Sequence, residues 1–382
     1  MTRDQTDRAS YGQALITALT TLLALWAATF LGLGLATAAP PETETPVCAA
    51  GVDFLGFSDA LDKQAFEGTV VGGLSGLAYD ARRGVYYGLV DNGPAASAEA
   101  RFYTLRLPTK GETLGTPQVL DVTVLKDASD QPFTASDFDG EGLTLTRGGD
   151  LLASSETEPS IRRFSLDGAL LEELPVPQKF GVAPGGQATS NQTFESLSLS
   201  PNNRSLFTAV EGPLAADGQT ADGENRIRIL RYEDRGPGGL EPAEEFFYLT
   251  EPGQNVAEIV ALSENELLVL ERGFVAGEGN TIRVFRVFLD GAEDVSDELS
   301  LATPGLDPVE KELLVDLAAC PESGAESPGT QTNELLDNYE SLALGPRLPG
   351  GRRALVLQSD DNFSAGQVTR VVALGVENGQ LR

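Results

Sequence analysis

ESLSLSPNNRSLFTAVE, residues 195–211, carries the fold in miniature. Leu197 and Leu199 alternate with serines, Ser-Pro-Asn-Asn-Arg at 200–204 is a turn cluster, and Leu206–Val210 is a second apolar run. Period-two alternation on both sides of a Pro/Asn turn is the pattern of a β-hairpin. This hairpin begins and ends on glutamate, Glu195 and Glu211.

The same unit recurs as SGLAYDARRGVYYGLVD (75–91), EGLTLTRGGDLLASSE (141–156), EIVALSENELLVLE (258–271) and ESLALGPRLPGGRRALVLQSD (340–360). Further strand candidates lie between the units, among them RFYTLRL (101–107), IRRFSLDGALLEEL (161–174), RIRILRY (226–232) and TIRVFRVFL (281–289). About four strands in every 50–80 residues predict an all-β chain folded as a single β-propeller. Five blades carry the unit, and a sixth, atypical one has room in the long intervals. VDFLGFSDAL (52–61) and TRVVALGVE (369–377) are expected to share one blade and close the ring, removing open sheet edges. KELLVDLAA (311–319) is the nearest approach to an amphipathic helix and reads equally well as a strand.

Ahead of the repeats, Ala14 to Ala38 is an uncharged apolar run ending in Ala36-Thr37-Ala38. Residues 1–38 therefore read as a cleaved signal peptide or a retained membrane anchor, followed by a linker over 39–50 and the propeller domain over 51–382. Either reading exports the propeller to the periplasm or beyond, with membrane contact only through an uncleaved N-terminal segment. The chain's two cysteines, Cys48 and Cys320, are expected to pair in an oxidising compartment; the alternative is two unrelated buried thiols.

Composition narrows the chemistry. Of 382 residues, 57 are acidic and 27 basic, giving a formal charge of −30. Nucleic acid is excluded as a partner, and a polyanionic ligand needs a cation between it and the protein. There is no histidine, which removes Ser-His-Asp and Cys-His catalysis and His-ligated zinc. Gly73-Leu74-Ser75-Gly76 has the look of a nucleophile elbow but lacks the second glycine and any histidine partner. What remains is carboxylate, Lys/Arg, Tyr, hydroxyl or hard-cation chemistry.

The acids are patterned. The units open on Ser75, Glu141, Glu195, Glu258 and Glu340 and end on Asp91, Glu156, Glu211, Glu271 and Asp360. In an antiparallel hairpin the start of one strand and the end of the next lie side by side. If the hairpin is the innermost of each blade, these carboxylates converge on one mouth of the central channel, where they would repel unless cations or protons share the site. A site for calcium assembled from separate blades is the functional reading; strand-end capping is the structural one. Asp137 and Asp139 in SDFDGEG, and Asp361 and Asn362 in SDDN, add polar groups nearby. Arg272, directly after Glu271, is a candidate contact for a phosphate or carboxylate, or a structural ion pair.

GLSGLAYD with VDNG, DGEGLTL with SSE, FESLSLSPNNRSLFTAVEG, VLERGF, and NYESLALG with SDDN together resemble the phytase-like family, "esterase-like activity of phytase", over roughly 50–380. The resemblance implies a β-propeller related to calcium-dependent phytases, in which carboxylate-held calcium bridges to substrate phosphates and activates water. Together with the repeat-end pattern, this chemistry makes Glu141, Glu156, Glu195, Glu211, Glu271, Glu340 and Asp360 the candidate metal ligands and Arg272 a candidate substrate contact, although the resemblance itself matches no complete ligand set residue by residue. The implied partner is a small-molecule phosphoester or other ester, handled by a monomer. One departure stands out: groups to grip several phosphates are few, with lysine occurring only at 63, 110, 126, 179 and 311. A non-catalytic surface-binding propeller and a lactonase-like calcium esterase remain the alternatives.

Overall fold

A computed structural model describes residues 47–91, 98–110, 113–236 and 239–381. The apolar N-terminal segment and most of the linker lie outside the described residues. Among the described residues no helix is long and apolar enough to cross a membrane.

Five antiparallel sheets form a ring of blades. Blade I runs Leu74–Asp80, Val85–Val90, Arg101–Arg106, Gln118–Val124, and blade II Gly140–Leu145, Leu151–Ser155, Ser160–Phe164, Leu170–Glu173. Blade III is Ser198–Leu199, Ser205–Ala209, Arg226–Asp234, Leu240–Leu249, and blade IV Asn255–Ala261, Glu266–Val275, Gly279–Phe288, Glu310–Asp316. Blade V starts with Tyr339–Leu348, Arg352–Ser359 and Val371–Glu377 and is completed by Val52–Ser58 and the short edge strand Val47–Ala49. The ring thus closes as expected, with the N-terminal strand hydrogen-bonded to the C-terminal one from Val52↔Val376 to Ser58↔Val371. There is no sixth blade among the described residues; the long intervals are filled by longer strands and loops. KELLVDLAA is strand Glu310–Asp316 followed by a single 3-10 turn, Leu317–Ala319.

Burial explains the composition of the strands. The second strands of blades I, II and III are buried on both faces, because each lies between neighbouring blades, so VYYGLV, LLASS and SLFTA carry almost no charge. The outer strand of blade II, Leu170–Glu173, alternates between half-buried and exposed positions. Cys48 and Cys320 form a disulfide across 272 residues, tying the edge of blade V to the end of blade IV's outer strand.

The recurring hairpin is the innermost one of every blade, and its first strands line the channel. Each of these inner strands holds one extra residue against its partner. Leu74 pairs Val90 while Gly76 pairs Leu89, Val256 pairs Glu271 while Glu258 pairs Leu270, and Tyr339 pairs Ser359 while Ser341 pairs Gln358. The extra residue is therefore Ser75, Ala257 or Glu340, and the same count places it at Glu141 and Glu195 in blades II and III. A bulge of this kind bends the strand and re-aims one side chain.

The residue after the bulge must fit against the next blade. A Cβ on Gly76 would lie 2.3 Å from the Glu141 carbonyl oxygen, and one on Gly142 would lie 2.5 Å from the Leu197 nitrogen. Blade V has Ser341 here, donating to the Ser75 carbonyl at 2.8 Å. Blade IV has Glu258, whose Oε1 accepts from Leu197 N at 3.1 Å and Ile259 N at 2.9 Å.

Candidate functional site

At the mouth where the inner strands begin, a cavity of about 620 Å³ opens. Glu141, Glu195 and Glu340 reach it from the bulges. Of the residues ending the second strands, Asp91, Glu156, Glu211 and Arg272 line the wall, and Asp360 holds the same register without lining it. Asp91 N bonds Gly73 O, Glu156 N bonds Asp139 O, Glu211 N bonds Thr193 O, and Asp360 N bonds Asn338 O. The same register in blade IV pairs Asn255 with Arg272. Arg272 thus occupies the position that a carboxylate holds in the other four blades.

This register corrects the reading of blade IV. Its unit is shifted by one residue relative to the other four, so the bulge holds Ala257 rather than Glu258, and the strand end at the mouth holds Arg272 rather than Glu271. Glu258 is a buried backbone acceptor between blades. Glu271, a candidate ligand by sequence, is not brought to the cavity: alternation along the strand turns it away from Arg272, and it takes Lys311 Nζ at 2.7 Å and Glu251 N at 2.8 Å. The signal for the shift was present, since Ile259 aligns with Leu77, Leu143, Leu197 and Leu342 only if Ala257 stands opposite the bulged acids.

Of the other candidates, Glu141, Glu156, Glu195, Glu211 and Glu340 come together on the cavity, and Asp360 does not line it. Carboxylate oxygens of Glu141, Glu195 and Glu340 lie within 4.8 Å of one another, as do those of Glu156, Glu195 and Glu211, and of Asp91, Asp139 and Glu141. Arg272 sits against this group, with Nη2 2.8 Å from Glu211 Oε1 and 3.7 Å from Glu195 Oε1, and Nη1 3.2 Å from Glu340 Oε1. Ser75 Oγ donates to Glu340 Oε2 at 3.0 Å, so of the two blades without an acid at the bulge, blade I supplies a donor there. Two asparagines that sequence reasoning passed over complete the support. Asn338 Nδ2 donates to Glu340 Oε1 at 3.0 Å and its Oδ1 accepts from Arg272, while Asn255 Nδ2 donates to Glu211 Oε1 at 3.0 Å. NYE, with Asn338 two residues before Glu340, was the available signal.

Electrostatics at this mouth favour protons or cations. Burial, then the Glu195 and Asp91 charges, hold Glu141 well above the ordinary glutamate range. Burial and Glu211 do the same for Glu195. Glu156 is pushed up to about 7 by burial and the nearby Glu211. Asp360 is raised by burial and Glu340. For Arg272, burial disfavours the charge, but Glu340, Glu211 and Glu195 outweigh it and keep the guanidinium charged. Asp139 Oδ1 and Asp360 Oδ2 are buried with no hydrogen-bond partner. An all-oxygen donor set with buried, unsatisfied carboxylate oxygens fits a hard cation such as calcium.

The family model of the Phytase-like proteins, described as esterase-like activity of phytase, matches residues 69–363. The chain belongs to the Phytase-like family. No curated protein matches this Phytase-like chain significantly. Solved structures resemble it at low identity. They include a PQQ-bound aldose sugar dehydrogenase from Streptomyces coelicolor (16% identity, 80% of each chain, TM-score 0.34). A periplasmic gluconolactonase from Pseudomonas aeruginosa matches with 16% identity over 80% of this chain and 86% of that one (TM-score 0.33). A gluconolactonase from Xanthomonas campestris matches with 11% identity over 86% and 95% (TM-score 0.37). At these scores the Phytase-like assignment rests on the family match and the ring itself.

Proposed function

We propose that the protein is an exported, calcium-dependent hydrolase of small-molecule phosphoesters, working at the acidic mouth of the ring. The single observation that carries this reading is the convergence of Glu141, Glu156, Glu195, Glu211, Glu340, Asp91 and Asp139 on one cavity, with buried carboxylate oxygens left unsatisfied beside it. These side chains, with Asp360, would hold calcium. When bound, the cation supplies positive charge for an anionic ester and polarises the ester and an attacking water. The protein's own groups do the rest. Arg272, fixed by Glu211, Glu340 and Asn338, is placed to orient an anionic oxygen at the cavity wall. A −30 chain then meets a phosphoester without direct charge repulsion. Export is supported by the Cys48–Cys320 disulfide, a bond that persists outside the reducing cytoplasm.

The family's description names an esterase-like activity, so carboxyl esters and lactones form the second substrate class. Release of phosphate from phytate and simple phosphomonoesters, and of acid from carboxyl esters, is to be measured with calcium and with chelator. Phosphate release that depends on calcium supports the proposal. Acid release alone moves the activity to the esterase class, and no release in any arm leaves a binding propeller.

A further inference from the structure

A second cavity, of about 440 Å³, lies beside the first, and its lining is different in kind: Phe274, Ala276 and Gly277 meet Asn280, Gln331 and Asn338. It is built by the hairpin of blade IV that continues beyond Arg272, where Gly273 pairs Thr281 and Val275 pairs Gly279. The tip is clasped to the loop before blade V. Asn280 N donates to Gln331 Oε1 at 2.7 Å, and Gly279, at φ +103°, comes so near that a Cβ there would sit 2.3 Å from that oxygen. The pocket is therefore preformed.

Two observations tie it to the acidic cavity. Asn338 lines the apolar pocket and bonds to Arg272 and Glu340, which line the acidic one, so directly bonded side chains connect the two walls. Phe274 is two residues beyond Arg272 on the same strand and is 67% exposed, the one aromatic ring among the exposed large hydrophobic residues described. An aromatic face held in water beside a polar site is the usual arrangement of a ligand pocket, in which apolar area supplies affinity and a few polar groups fix orientation.

We propose that this pocket is the subsite for the apolar part of the substrate, so that the protein prefers esters carrying an aryl or branched alkyl group over fully polar ones. The inference rests on the proposed function only in taking the ester's polar head into the acidic cavity.

The test is binding rather than turnover. Affinities of methylphosphonate and 1-naphthylmethylphosphonate, neither of which is hydrolysed, are measured calorimetrically with calcium for the wild type, Phe274→Ala and Ala276→Trp. The naphthyl compound should bind the wild type about tenfold or more tightly than the methyl one, the return expected for burying most of an aromatic ring. Both variants should remove that preference and leave methylphosphonate affinity unchanged. Equal affinities in the wild type, or a preference that survives both substitutions, overturn the subsite while leaving the proposed function standing. Failure of both phosphonates to bind overturns the subsite and contradicts phosphoester binding as well.

Discussion

Arg272 Nη2 lies 2.8 Å from Glu211 Oε1, a cation from blade IV against a carboxylate from blade III. The pair matters because Arg272 stands where blades I, II, III and V place Asp91, Glu156, Glu211 and Asp360. A ring of like charges thereby contains one counter-ion of its own, while burial and mutual repulsion still hold Glu141, Glu195 and Glu156 above the ordinary glutamate range.

Replacing Arg272 with Gln should cost about 3–5 kcal/mol of stability in chelator, the range for stripping one partner from a buried charged group. Calcium should restore a larger part of the loss than it adds to the wild type. Chemical denaturation with and without calcium measures both quantities, and a variant as stable as wild type in chelator would contradict the counter-ion role.

The pH dependence follows from Glu156. Its folded pKa, about 7, lies above the ordinary glutamate value, so between roughly pH 4.5 and 7 the folded chain binds more protons than the unfolded one. Stability in chelator should therefore fall as pH rises through this window. Calcium replaces the protons, so its stabilising effect should grow over the same interval. Melting temperatures across the window decide; a calcium effect independent of pH would argue against shared occupancy.

Glu258 and Glu340 separate structure from function. Glu258→Gln keeps an oxygen acceptor for Leu197 N and Ile259 N while removing a buried acid, so stability should change by less than about 1 kcal/mol and the calcium effect should be unaltered. Glu340→Gln should reduce the calcium-induced rise in melting temperature, and Glu195→Gln likewise, relative to an exposed control such as Glu310→Gln. Equal shifts in all four proteins would assign these glutamates to structure.

The Cys48–Cys320 bond closes a loop of 272 residues between blades V and IV. By loop-closure entropy its loss is worth about 5 kcal/mol, and measured losses commonly run from about 2 to 5. Cys48→Ser with Cys320→Ser should lower the denaturation midpoint accordingly, and thiol labelling of the unreduced, denatured wild type should find no free thiol.

Much of the ring was legible because each blade repeats one hairpin with a fixed polarity. ESLSLSPNNRSLFTAVE states strand, turn, strand and both acids in 17 residues, and VDFLGFSDAL with TRVVALGVE announced the closing blade. Blade IV was misread by one residue because a glutamate happens to follow the bulge there as well as standing at it elsewhere. Charge type alone cannot separate Glu258, which bonds backbone between blades, from Glu195 or Glu340; the bulge register does. Asn255, the bond between Arg272 and Asn338, and the clasped Phe274 hairpin were illegible for another reason. Their roles come from contacts between segments 44 to 66 residues apart, such as Asn255 with Glu211 and Arg272 with Asn338, which no local pattern encodes.

The most direct test of the account is a calorimetric calcium titration of the chelator-treated protein near neutral pH, repeated in two buffers of different ionisation enthalpy. The account predicts saturable binding with proton release, seen as a buffer-dependent heat, and its loss in a Glu195→Gln, Glu340→Gln double variant that still folds. No saturable binding by the wild type up to about millimolar calcium, the weak end for extracellular sites, would contradict it.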